Sequence, residues 1–175
     1  GKFVVSYADS YTQGAYYLCS VADSVLINPQ GMLDWKGLAM QTVYFKELLD
    51  KVGVKMQIFK VGTYKSAVEP YILNEMSEAN REQITVFSGE IWKEMLDDVS
   101  KSRKLKAEVL NQLADTALCF SSADMYLKSG LVDKVTYSDD VPRVISNMMK
   151  LDDGREYKKV TLAEMANVVK NSPKN

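Results

Sequence analysis

Short apolar runs alternate with helical stretches over the first part of the chain, and this alternation constrains the fold more than any other feature. Phe3-Val4-Val5-Ser6-Tyr7-Ala8 reads as a buried strand. Asp9 to Gly14 is a turn, and Ala15 to Ala22 reads as a helix with Tyr16, Leu18, Cys19 and Ala22 apolar. Ser24-Val25-Leu26-Ile27 is a second strand, and Asn28-Pro29-Gln30-Gly31 is a breaker cluster expected to stop it. Gln41 to Val52 predicts an amphipathic helix with Phe45, Leu48, Leu49 and Val52 on one face, stopped by Gly53. Val54, Met56 and Ile58 alternate with Lys55 and Gln57, the period-2 pattern of a third strand. Residues 62–70 form the loop after it.

The later sequence is mostly helical. Ser77 suits the N-cap of a long helix reaching about Arg103, with Ile84, Phe87, Ile91, Met95 and Val99 as its apolar, core-facing stripe. A shorter helix covers Lys106 to Ala114, and Ser121-Ser122-Ala123-Asp124 opens another that Gly130 ends. Leu131 to Val135 predicts a last strand and Asp139 to Lys150 a last helix. Residues 152–156 read as a linker or surface turn, and the tail from Asn171 as frayed. Strands separated by helices argue an α/β fold with a small, mostly parallel sheet flanked by helices. Parallel sheets want neighbours on both edges. The first strand begins at residue 3, so the expectation is a sheet whose remaining strands lie upstream, in a chain that opens on Gly rather than Met.

Composition excludes several classes of function. The 175 residues carry 22 basic and 23 acidic side chains, a net charge of −1, so there is no electrostatic case for nucleic acid. No window approaches the 18 or so apolar residues of a membrane span. Cys19 and Cys119 make no disulfide framework and read as small buried hydrophobes, with a single bridge in an oxidising compartment as the alternative. The chain has no histidine. It therefore has no Ser-His-Asp or Cys-His site of its own, and no His ligand for zinc. Acid–base chemistry near neutral pH falls to Lys, Asp, Glu, Tyr or Cys with a displaced pKa. No cofactor or metal is implied.

The segment Phe59-Lys60-Val61-Gly62-Thr63-Tyr64-Lys65-Ser66-Ala67-Val68-Glu69-Pro70-Tyr71 closely resembles the lysine motif of signal peptide peptidase A (protease IV), G-x-Y-K-S-A-x-E-P-[FY]. Tyr11 to Leu18, Ala22-Asp23-Ser24-Val25, Asn28-Pro29-Gln30-Gly31 and Leu48-Leu49-Asp50-Lys51 are similar to the N-terminal repeat of its long, two-repeat form. Tyr126-Leu127-Lys128-Ser129-Gly130-Leu131-Val132-Asp133 carries an ending common across the crotonase/Clp protease-like fold. The resemblance covers roughly residues 1–160. It implies that residues 1–150 are a lysine-bearing peptidase repeat and that residues 151–175 lead toward a second repeat.

In that family a serine attacks the scissile carbonyl and a lysine takes its proton. The resemblance makes Lys65 the general base. An ordinary lysine is neutral in only about 1 molecule in 2,500 at pH 7, whereas a pKa brought to about 8 by desolvation makes it roughly one in ten. Tyr64 and Ser66 either position Lys65 or pack, and Glu69 either pairs with a lysine or caps the next helix. The serine is the departure. The family's A-S-G-G turn corresponds here to Tyr11-Thr12-Gln13-Gly14, so Gln13 stands where the nucleophile would be. Ser10, Ser20 and Ser66 lack the glycine-rich turn that presents a hydroxyl beside backbone donors.

The resemblance implies a membrane-associated Ser/Lys protease that degrades cleaved signal peptides, with its nucleophile in a C-terminal serine-bearing repeat. It also implies homo-oligomers, anchorage in the bacterial inner membrane, and a peptidase domain on the periplasmic side. Two other readings stay open. One is a non-catalytic assembly module using Trp92, Val86 and the long helix. The other is an acyl-CoA enzyme of the crotonase class, against which stands the lack of grouped basic residues for CoA phosphates.

Overall fold

Three strands frame the chain in a computed structural model that describes residues 2–59, 61–62, 65–151 and 157–166. β1 (Val5–Tyr11) lies parallel to β2 (Ser24–Leu33), and β2 lies parallel to β3 (Lys134–Val135), in the order β1-β2-β3. Parallel neighbours need crossover connections, and helices supply them here, which is the α/β arrangement that the alternating pattern predicts.

The breaker cluster does not stop β2. Pairing runs from Val5↔Ser24 to Ala8↔Ile27 and resumes at Ser10↔Met32 and Tyr11↔Leu33. Asn28 to Gly31 therefore bulge out opposite Asp9. Proline is tolerated in a sheet at such a bulge, where no ladder hydrogen bond is asked of it. The Asn28 side chain turns the chain locally: its Oδ1 accepts from the Gln30 N–H at 2.9 Å and its Nδ2 donates to Asp9 Oδ1 at 2.9 Å. Gly31 returns the strand to register so closely that a Cβ there would sit 2.2 Å from the Asp9 carbonyl oxygen.

α1 (Gln13–Cys19) starts at Thr12, whose hydroxyl accepts from the Ala15 N–H, and ends earlier than the predicted Ala22. α2 (Lys46–Lys51) is half the predicted helix, because residues 41–45 do not join it. Leu48 and Val52 of its apolar face stay exposed. The predicted strand over 54–58 is absent: Val54 and Met56 are exposed, and no described residue forms a ladder with them. Alternation sorts side chains onto two faces, but a strand also needs a neighbour for its N–H and C=O groups. α3 (Glu69–Ile72) leads into α4 (Glu78–Arg103), capped by Ser77 and ended by Lys104 in the left-handed region at φ 56°. α5 (Ala107–Ala114) and α6 (Ala123–Lys128) follow close to their predicted bounds.

The core centres on Trp35. It is fully buried, donates from Nε1 to the Leu110 carbonyl at 2.9 Å, and meets Tyr16 edge-on at 5.8 Å. Val25, Ile27, Leu33, Val99, Leu118, Tyr126 and Leu131 complete the cluster. Only the second half of α4 packs on it, through Trp92, Met95, Leu96 and Val99. Val86, Phe87 and Ile91, on the N-terminal side of Trp92, stay exposed, so the stripe predicted to face the core does so only over its later part. The end of α4 is stapled to the sheet, with Arg103 paired to Asp133 at 2.7 Å while Asp133 Oδ2 accepts from the Val25 N–H at 2.7 Å. Cys19 and Cys119 are free and half-buried. Residues 1–135 form one compact unit. Residues 136–175 form another, holding α7 (Val141–Met148), the shortened form of the predicted last helix, and α8 (Leu162–Ala166).

Candidate active site

Lys65 sits at the entry to a single tight turn, Ser66–Val68, that runs directly into α3. Gly62, three residues earlier, has φ +105°, a backbone conformation open to glycine and strained for other residues. Lys60, Thr63 and Tyr64 of the motif lie outside the described residues, and with them the positioning role open to Tyr64. Lys65 itself is exposed. A desolvated general base would need apolar cover beyond what the described residues place over it.

The segment after Lys65 is firmly anchored by Glu69. This carboxylate is buried, at 1% exposure, and the start of α4 satisfies it. Its Oε1 accepts from Ser77 Oγ at 2.6 Å, and its Oε2 accepts from the Ser77 N–H at 3.3 Å and from Asn80 Nδ2 at 3.0 Å. The first N–H groups of a helix have no internal partner and carry the positive end of its dipole, so a carboxylate is favoured there. The helix-capping role open to Glu69 is seen in these contacts. Pro70 next to it holds a second tie, its carbonyl accepting from the Phe45 N–H at 2.7 Å, and the Phe45 and Tyr71 rings stack at 6.1 Å.

Gln13 opens α1 just past the carboxyl end of β1, the side of an open parallel sheet where crevices form. Its side chain is committed to the turn after β2. Gln13 Oε1 accepts from the N–H groups of Lys36 at 2.8 Å and Gly37 at 3.1 Å, while Nε2 donates to the Gly37 carbonyl at 2.9 Å. The Gln13 amide thus serves as a backbone clamp. Sequence reading assigned Gln13 no such partners, because a contact to residues 36 and 37 depends on where β2 ends.

The other serines are in structural use. Ser10 Oγ accepts from the Met32 N–H across the bulge, and buried Ser20 donates to the Tyr17 carbonyl at 2.8 Å. Ser66 lines one wall of an open groove of about 860 Å³ beside α4. Among the described residues no hydrogen bond joins Lys65 to Ser10, Gln13 or Ser20. Burial pushes the Tyr16 phenol far above its ordinary value, with Arg103 opposing the rise. Tyr16 donates to the Leu131 carbonyl at 2.8 Å, so its hydroxyl is part of the core. No group of His, Cys, Asp and Glu among the described residues could hold a metal ion, and no described helix is long and apolar enough to cross a membrane.

Comparison with known proteins gives a consistent family. Protease 4 of Haemophilus influenzae is 38% identical over 162 residues, covering 89% of this chain and 26% of that protein. Protease 4 of Salmonella typhi is 39% identical over 152 residues, covering 83% of this chain and 25% of that protein. The chloroplastic serine protease SPPA of Arabidopsis thaliana is 24% identical over 170 residues, 97% of this chain and 25% of that protein. The chain thus spans about a quarter of the length of these relatives. The profile of peptidase family S49 matches residues 1–153. With its parallel strands and flanking helices laid out in the crotonase/Clp protease-like manner, the chain belongs to peptidase family S49.

Proposed function

We propose that this chain is the lysine-bearing part of a Ser/Lys peptidase that degrades cleaved signal peptides. Lys65 is the general base, and the nucleophilic serine comes from a C-terminal repeat outside these residues. Residues 1–150 are the repeat and residues 151–175 lead toward its partner. The observation that carries this reading is the contrast between two positions. Lys65 stands in an intact Gly62-to-Pro70 motif anchored through Glu69, while Gln13 holds the nucleophile's place with a clamping amide. An exposed lysine ahead of an anchored turn suits a site completed by a second surface, which would supply the desolvation a lysine base needs. The fragment alone would be inactive. By family likeness the working enzyme is a homo-oligomer held at the bacterial inner membrane, with the peptidase on the periplasmic side.

One observation favours the reading of the chain as a non-catalytic assembly module: Val86 and Phe87 on α4 are exposed. Turnover separates the two. In the intact protein acting on an apolar peptide, Lys65→Ala is expected to lower kcat by about 10²- to 10⁴-fold while folding and assembly are kept. Unchanged kcat would remove Lys65 from the mechanism and leave the module reading.

A further inference from the structure

Lys65 is exposed, and no hydrogen bond or ion pair among the described residues holds its side chain. Its place is set by the backbone that follows it. Lys65 lies outside the helical region, at φ −89° and ψ 76°, and the chain then winds through Ser66–Val68 into α3. Four residues on stands Glu69, the one buried carboxylate among the described residues. A buried carboxylate is costly unless it is paired or hydrogen-bonded. Capping α4 does not by itself demand it: the Ser77 hydroxyl already accepts from the Asn80 N–H at 3.2 Å, as an N-cap serine does. What the burial adds is a fixed place for α3 on α4, with Ser77 Oγ at 2.6 Å from one carboxylate oxygen and Asn80 Nδ2 at 3.0 Å from the other. Residue 45 ties the same turn separately, through the Pro70 carbonyl at 2.7 Å and the Tyr71 ring. Residues 69–71 are thus held to two other segments, about one helical turn past the lysine.

We infer that Glu69 is a positioning residue for Lys65, and that its contacts with Ser77 and Asn80 fix where the lysine amine meets the nucleophile. The inference rests on the peptidase reading above and adds to it the residue that aims the base. A serine supplied from outside these residues meets Lys65 only where this chain's own frame presents it, so the frame needs a fixed point close by. Glu69 is shut off from solvent and acts through the backbone between it and Lys65. A misplacement of about 1 Å at a reacting group costs on the order of 100-fold in rate.

The test measures kcat and KM of the intact protein on a fluorogenic apolar peptide, with each variant's folded fraction read by circular dichroism. Glu69→Ala is expected to lower kcat about 100-fold per folded molecule and to leave KM within about threefold. Glu69→Gln is expected to restore kcat to within about tenfold of the parent, since its amide oxygen still accepts from the Ser77 N–H and Asn80 and its NH₂ donates to the Ser77 hydroxyl. In a Lys65→Ala background Glu69→Ala should lower the residual rate no further, because residues acting as a unit are non-additive. A kcat loss that disappears once corrected for folded fraction overturns the inference, as does an equal loss with and without Lys65. If Glu69→Ala does not fold, Ser77→Ala carries the measurement: about tenfold lower kcat is expected, and unchanged kcat overturns the inference. The two proposals fail differently. Unchanged turnover in Lys65→Ala removes the base itself, whereas a required Lys65 beside a dispensable Glu69 removes the positioning alone.

Discussion

The frame around Trp35 and the stretch from Leu38 to Phe59 are both rich in apolar residues, yet they are held very differently. In the frame, Val25, Leu26, Ile27, Leu33 and Trp35 are completely buried. In the stretch, Leu38, Met40, Val43, Leu48, Val54, Met56 and Phe59 are all exposed. Side-chain chemistry alone does not separate them. The frame has neighbours: β2 lies between two strands, and α4 and α5 cover Trp35. The stretch has the stacked Phe45 and Tyr71 rings and the Phe45–Pro70 hydrogen bond. Burial follows from what lies alongside an apolar residue, and the candidate base follows directly after the less covered region.

Substitutions test this contrast at graded strengths. Trp35→Ala should cost about 3–5 kcal/mol, read as a lower denaturant midpoint, since it empties the largest site in the core. A small loss would mean the frame is held elsewhere. Glu69→Ala should cost about 2 kcal/mol, because Ser77 and Asn80 lose a buried carboxylate partner. This is the sharpest probe of the link between Lys65 and α4, and a neutral result would detach the lysine turn from the rest of the unit.

The pH dependence of stability is a finer probe. Tyr16 stays protonated in the folded chain well beyond its ordinary value, owing to burial. In the unfolded chain it ionises near pH 10, so above about pH 10 the folded state holds the extra proton and stability falls as pH rises. Below that, both states are protonated and the group adds no slope. Tyr16→Phe should flatten the alkaline fall in urea midpoint, leaving the smaller contributions of Tyr11, Tyr17 and Tyr44, which are also raised. An unchanged fall would place Tyr16 outside the core. At the weak end, Val54→Ser should change stability by no more than about 0.5 kcal/mol. A larger loss would show that the stretch is covered in solution and would erase the contrast.

The same contrast decides what could be read from the sequence. α4 and α5 were legible because their caps and three-and-four spacing are local facts, and Ser77 caps as its type suggests. The parallel sheet was legible from alternation of elements. Three features were not. Asn28 to Gly31 looked like a stop, but a proline and a glycine can equally be absorbed by a bulge when the partner strand resumes pairing at Met32. Val54 to Ile58 looked like a strand because period 2 says nothing about whether an edge is waiting for it. The helix over 41–52 shrank to Lys46–Lys51 because its apolar face met no core. In the candidate site, Lys65 is singled out by its motif alone, since a loop lysine carries no pattern of its own. The contacts of Glu69 with Ser77 and Asn80 were not legible until the start of α4 stood beside it. The clamp from Gln13 to Lys36 and Gly37 depends on the turn after β2, which residue types did not locate.

The staple between Val25 and Asp133 joins residues 108 positions apart, and Tyr16 reaches Leu131 across 115. On a ribosome this separation becomes a waiting time. β1, α1 and β2 emerge early, but β3 and the acceptors for Tyr16 and Val25 are made only after α4, α5 and α6. At about 5–20 residues per second the interval is some 5–20 seconds. During it, β2, the middle strand of the three, has an open edge, and for much of it Trp35 has no Leu110 to cover it. Until residue 135 has cleared the exit tunnel the nascent chain keeps that edge unpaired, and a slowdown in translation between α4 and β3 would lengthen its exposure.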